Sequence, residues 1–173
     1  GAICGTNDGT IENCVIESGT VYALQYAGGI CGQNNGTIRL CRSAADVTAS
    51  GNTAGGICGM NNGTIENCLN SGDISAGWAA GGICGQNANG ATVSGCLSLG
   101  GYAASSLKGG ISGINYALPV NSCYLASAQG YDGARTQAQM LSGEVTWLLN
   151  GSQSAGAWGQ TLDGSSMPEL GGK

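Results

Sequence analysis

Hydrophobic positions recur along this chain at a long, fixed interval, and that interval is the first thing to explain. The segments Ala2-Ile3-Cys4-Gly5, Gly29-Ile30-Cys31-Gly32, Gly56-Ile57-Cys58-Gly59 and Gly82-Ile83-Cys84-Gly85 are followed by Gly110-Ile111-Ser112-Gly113, with Ile spacings of 27, 27, 26 and 28. A second column, Cys14, Cys41, Cys68, Cys96 and Cys123, returns at 27, 27, 28 and 27. Between them lie Asn7, Asn34, Asn61, Asn87 and Asn115, then the apolar column Ile11, Ile38, Ile65, Val93 and Val120. Val21, Val47, Ile74 and Tyr102 close each unit. The unit reads as three short strands: Gly-Gly-Ile-Cys-Gly, Thr-Ile-x-Asn-Cys, and a segment around the Val column.

Asn-Gly at 35–36 and 62–63 is a hairpin signal, so a meander of hairpins competes with a coil. A meander has no reason to return one side chain at one phase every turn, whereas a solenoid stacks each column on itself at about 4.8 Å per turn. The predicted fold is therefore all-β, a parallel β-helix (β-solenoid) of about five coils with a period of about 27 residues and a short helical C-terminal cap. The solenoid is assigned to residues 1–125, and the cap and an extended tail to 126–173.

Alternation assigns the faces. Glu12, Arg39, Glu66, Ser94 and Asn121 belong in water, so Ile11, Ile38, Ile65, Val93 and Val120 face the core. Cys4 follows an inward Ile3 and is expected outward or edgewise. The second Cys column is expected inward, with a bend near Asn13 and Asn67 to reconcile the phases. Beyond Cys123 the period stops, and Thr136 to Gln139 form a capping box ahead of Met140, Leu141, Val145, Leu148 and Leu149. This predicts a helix over about 136–149, with Gly143 a weak point inside it. That helix is expected to cap the last coil, with Trp158 to Leu162 and Pro168 to Leu170 laid along the same face. The first coil has no such cover: the chain reads as starting mid-repeat, where coils or another domain precede it, and its edge could stack on another copy.

Composition narrows the function. Of 173 residues 34 are Gly and only two are Pro, with no Gly-X-Y register, which excludes collagen and proline-rich disorder. Ten acids against five bases leave a net charge of −5, the wrong sign for nucleic acid. The absence of His removes His-ligated zinc and His-based nucleophile and acid/base systems. No apolar run approaches a membrane span, and no export signal opens the sequence.

The pairing of Gly-Gly-Ile-Cys-Gly-x-Asn with Gly-Thr-Ile-x-Asn-Cys resembles the GLUG motif of bacterial surface proteins, over residues 1 to about 125. The segments Gly143-Glu144-Val145 and Trp158-Gly159-Gln160 resemble the stretch that often follows such repeats. The resemblance implies a large secreted or wall-attached parent, adhesion as the role, and a kinship with the non-catalytic part of immunoglobulin A1 metalloproteases. The metalloprotease His-Glu-x-x-His is absent, so no catalytic residue is implied.

Four constellations remain. The nine Cys are too widely spaced for a zinc site. They are either stacked buried thiols or disulfides within coils, Cys4 with Cys14, Cys31 with Cys41, Cys58 with Cys68 and Cys84 with Cys96. The Asn column reads as turn-forming residues that tolerate left-handed geometry and stack their amides on the next coil, since a calcium array needs carboxylates. Glu12 and Glu66, two coils apart with Arg39 between, are the one carboxylate pair within reach of an inverting glycosidase geometry, and Arg39 reads better as charge relief. Tyr22, Tyr26, Trp78 and Tyr102 are the candidate ligand-binding residues, an aromatic ridge for a glycan or protein partner. The sequence thus points to a non-catalytic spacer or adhesin module at the cell surface, without metal or cofactor. A carbohydrate-active β-helix enzyme is the alternative.

Overall fold

The computed structural model describes residues 1–125, 134–151, 156–160 and 165–171. The chain winds as a β-solenoid of about four complete turns. The sequence count of five is corrected, because the marker Gly110 to Gly113 opens only a partial further turn: its strand Ser112–Asn115 joins the first sheet, but three of the sheets stop at four strands.

Each turn contains five short strands rather than three. In the first turn these are β1 (Cys4–Asn7), β2 (Thr10–Glu12), β3 (Val15–Ile16), β4 (Thr20–Ala23) and β5 (Tyr26–Gly28). Each strand pairs in parallel with its counterpart one turn on, as Cys4 with Cys31, Ile11 with Ile38, Val21 with Val47 and Tyr26 with Thr53. Five parallel sheets result, here numbered first to fifth after the strand that begins each. Thr10, Thr37, Thr64 and Thr92 open the strands of the second sheet, where a branched residue suits extended backbone.

The cross-section has two cores. One holds Ile30, Cys31, Ile38 and Cys41 with their counterparts in the turns below, enclosed by the first three sheets. The other packs Ala27, Ala54 and Ala80 of the fifth sheet against Val47, Ala49, Ile74 and Ala76 of the fourth. The opposite face of the fifth sheet lies on the first: Thr53 Oγ1 donates to the Gly59 carbonyl at 2.9 Å, and a Cβ on Gly59 would sit 2.7 Å from Ala27 N. The fifth sheet is therefore a covered middle layer, and Thr53–Gly55 and Ala79–Gly81 are buried throughout. Only small side chains fit there, which explains the repeated Ala-Gly-Gly. A residue larger than Gly at 29, 56 or 82 would strike Ser43, Asn70 or Ser98 across the waist between the two cores.

A bend at Gly29-Ile30 separates the fifth strand from the first strand of the next turn, so Ile30 and Cys31 both point inward. The first Cys column is thus a core column, against the expectation that it faces outward. Strict alternation fails because a bend, not a continuous strand, joins the two residues. The expected bend near Asn13 and Asn67 is present as a column of left-handed residues, Asn13 (φ 56), Leu40 (53), Asn67 (50), Gly95 (59) and Asn121 (47). The Asn7 column, by contrast, keeps ordinary extended backbone, so its Asn residues serve stacking and not turn geometry.

The last partial turn slips by one residue. Val120 bridges Ser94 and is 54% exposed, and Cys123 pairs with Leu97 and Tyr124 with Ser98. Val120 therefore leaves the core column assigned to it, Asn121 joins the left-handed column, and Cys123 leaves the second Cys column. A slip of one exchanges the faces of a strand. Tyr124 turns inward over Gly110, edge-to-face with Tyr102 at 6.1 Å.

The C-terminal segment forms two helices, α1 (Gln137–Leu141) and α2 (Glu144–Leu149), not one over 136–149. Gly143, left-handed at φ 82, divides them, and the Thr136–Gln139 capping box is present. They do not lie on the end of the coil. Met140, Val145, Leu149 and Trp158 pack on Leu97 and Cys123, outward-facing residues of the third sheet, so the helices buttress the side. Trp158 Nε1 donates to the Gly95 carbonyl at 2.8 Å, and a Cβ on Gly95 would lie 3.2 Å from Leu149 O. Trp158–Gly159 pairs antiparallel with Glu169–Leu170, whereas the expected tail residue Leu162 lies outside the described residues.

Candidate functional site

The repeat places two internal ladders side by side. Asn7 Nδ2 donates to Asn34 Oδ1 at 2.7 Å, Asn34 to Asn61 at 2.8 Å and Asn61 to Asn87 at 2.9 Å, all buried. Each of the first three amides also donates to the carbonyl two residues on and to a Thr carbonyl of the next turn, as Asn34 does to Gly36 and Thr64. These ladders close backbone groups that the tight corner leaves without strand partners. The ladder ends at Asn87, whose amide turns to the Ala117 carbonyl, and Asn115 is exposed.

The cysteines are free thiols, and Cys31 Sγ touches Cys58 Sγ of the next turn at 3.7 Å. Stacking thus runs between turns. In the first column Cys31 and Cys58 donate to the carbonyl two residues later, Gln33 and Met60, and Ser112 Oγ makes the same bond to Ile114 at 2.8 Å where that column lacks a Cys. In the second column Cys41, Cys68 and Cys96 donate to the carbonyl two residues earlier, Arg39, Glu66 and Ser94. Burial pushes the Cys84 thiol up to about 12 and raises Cys58 and Cys68 well above the ordinary value. A thiol held in its protonated form is a poor nucleophile and a poor metal ligand. Among the described residues no group of three or more Cys, Asp or Glu is placed to hold a metal ion.

The four aromatic candidates do not share a ridge. Tyr22 is 69% exposed on the fourth sheet beside Thr48. Tyr26 is half-buried in register with Thr53 of the fifth sheet, and Trp78, 42% exposed, stands in the turn before Ala79. Tyr102 stacks under Ile74, half-buried against both cores, as its place in the Val column already requires. Four different columns in three different turns hold them, so only Tyr22 and Trp78 offer exposed rings. Arg39 Nη2 meets Glu12 Oε2 at 2.9 Å and neighbours Glu66 in register, the charge-relief arrangement expected of it.

A concavity that sequence reasoning missed lies at the C-terminal end of the coil, with a volume of about 540 Å³. Its lining comes from the last strands of the first and fifth sheets, the slipped segment 118–124, Arg135 and Leu148. No signal within one repeat could reveal it, since the register slip and the lateral position of the helices form it. A second, shallower depression follows Ala23 to Tyr26 and Gly32-Gln33 at the opposite end. Among the described residues no helix is long and apolar enough to cross a membrane.

No family model matches the chain, and no curated protein does. A solved structure described as a "putative immunoglobulin A1 protease" from Bacteroides ovatus is similar over 94% of this chain, with a TM-score of 0.65 and 23% identity. The match covers 61% of that chain, so the present chain spans less than two thirds of its neighbour, and at this identity the likeness is one of fold.

Proposed function

We propose that this chain is a non-catalytic GLUG-type repeat module of an exported bacterial protein, a stiff spacer that also presents surface to a host or bacterial glycan or protein. The observation supporting this reading is where its polar chemistry goes. The buried amides and the core thiols named above hydrogen-bond to their own stacks and the adjacent backbone, and of the weighed carboxylate pair Glu12 is ion-paired to Arg39, which lies in register beside Glu66. A rod about four strand spacings long, roughly 19 Å, separates its ends at the cost of little sequence complexity. The neighbour's description as a protease does not carry over, since this chain has no His for a His-Glu-x-x-His site. Exposed Tyr22 and Trp78 supply stacking surface.

The test combines a glycan and cell-surface binding screen of the purified chain with a hydrolysis screen on polysaccharides and immunoglobulin A1. Saturable binding without turnover supports the module. Cleavage of a glycosidic or peptide bond by the purified chain would overturn it.

A further inference from the structure

The cavity at the C-terminal end differs in charge from the rest of the molecule. The chain carries ten acids and five bases, yet Lys108 and Arg135 both line this concavity and no Asp or Glu does. Both cations are largely uncommitted. Lys108 is exposed with no ion pair among the described residues, and there Arg135 faces Glu144 only at 4.0 Å, with its Nη1 donating to the Ala134 carbonyl. The Arg135 Nε is buried without a hydrogen-bond acceptor among the described residues, the kind of donor that folded chains rarely leave alone. Two amides add to this. Asn115 is the residue at which the internal ladder stops, and Asn121 is exposed on the slipped segment; neither side chain is engaged within the described residues.

Two positive groups flanking amide donors and acceptors, with the Tyr124 ring among the lining residues, fit a compact ligand that combines a carboxylate with hydroxyls. A volume of about 540 Å³ accommodates one or two sugar rings. We propose that this end cavity binds an acidic sugar, with Lys108 and Arg135 on its carboxylate and Asn115 and Asn121 on its hydroxyls. The proposal deepens the glycan-binding arm of the module reading and rests on it. An acidic sugar is favoured over a peptide C-terminus because hydroxyls need partners that both donate and accept, which the two amides provide.

The test is calorimetric or NMR titration of the whole chain with glucuronic acid and N-acetylneuraminic acid. Glucose and a short peptide with a free C-terminus serve as comparisons. Binding of an acidic sugar is expected, with glucose at least about tenfold weaker, and with affinity falling as salt rises. Lys108→Gln and Arg135→Gln should each weaken binding about tenfold, and Asn115→Ala should weaken it less. Arg135→Gln touches the segment before α1, so the exposed Lys108→Gln is the variant whose fold is not at risk. Equal affinity for glucose, preference for the peptide, or unaltered binding by Lys108→Gln would overturn the proposal. Cell binding that persists in Lys108→Gln alongside lost acidic-sugar affinity supports the cavity site and assigns cell contact to another face. Cell binding with no acidic-sugar affinity overturns the cavity while the module reading stands.

Discussion

Replacing Asn61 by Ala tests whether the buried amide ladder holds the turns together. Asn61 donates to Gly63 O at 3.2 Å, Asn87 Oδ1 at 2.9 Å and Thr92 O at 3.2 Å, and accepts from Asn34 Nδ2 at 2.8 Å and Gly63 N at 3.3 Å. A net hydrogen bond is worth about 1 kcal/mol, and a buried group left without a partner costs about 1–3 kcal/mol. Asn34 Nδ2 keeps two other acceptors, so the loss falls mainly on Asn87 Oδ1 and the carbonyls around Asn61. The expected destabilisation is about 3–5 kcal/mol, read from urea unfolding with an unchanged m-value. Asn115→Ala is the control: the same column, exposed and outside the ladder, with an expected change below about 0.5 kcal/mol. Asn61→Asp keeps the shape and removes the donors, so it should be at least as damaging as Ala at neutral pH. If Asn61→Ala falls within about 1 kcal/mol of the control, the ladder is a consequence of the stack and not a cause of it.

Leu40 occupies the left-handed column that Asn fills in three other turns, and Leu40→Asn should stabilise the chain by about 1 kcal/mol, visible as a raised midpoint in the same urea assay. Gly55→Ala should prevent folding or cost several kcal/mol, because its Cβ would overlap Cys58 O and lie 2.5 Å from Cys84 Cα, whereas Gly9→Ala meets nothing and should be near neutral by circular dichroism. A thiol reagent at pH 8 should label two cysteines quickly in the native chain, the half-buried Cys4 and Cys14, and all nine after unfolding; an unfolded count below nine without reductant would mean disulfides. Burial raises Cys84 from about 9 to about 12, so the native state retains a proton that the unfolded chain releases. Its contribution is complete below about pH 9 and is lost as pH rises towards 12, and unfolding free energies measured across that window should fall.

The parallel stack was legible in the sequence because it depends on phase alone: two independent columns sharing one period cannot be satisfied by a meander. The capping box at Thr136 and the bend at Asn13 and Asn67 were legible for a similar reason, each being a local exchange of backbone partners. The five strands per turn and the covered fifth sheet were not, because Ala-Gly-Gly reads as flexible chain until another sheet is seen to lie on each of its faces. Nor was the inward Cys4 column, since alternation presumes an unbroken strand and the Gly29-Ile30 bend breaks it.

At the candidate site the division is sharper. Tyr22 and Trp78 were identified as aromatic surface from type and phase, but their columns are set by strand boundaries that only packing defines. The end cavity came entirely from tertiary structure. Val120 held the phase of an inward residue, yet among the described residues the second sheet has no strand beyond this bridge to enforce register, and the segment is moved by one with Tyr124 over Gly110. What the chain determined by itself is its period, which follows from like residues stacking on like. What only the folded molecule decided is its ends and its lateral buttress, where that repetition no longer specifies a neighbour.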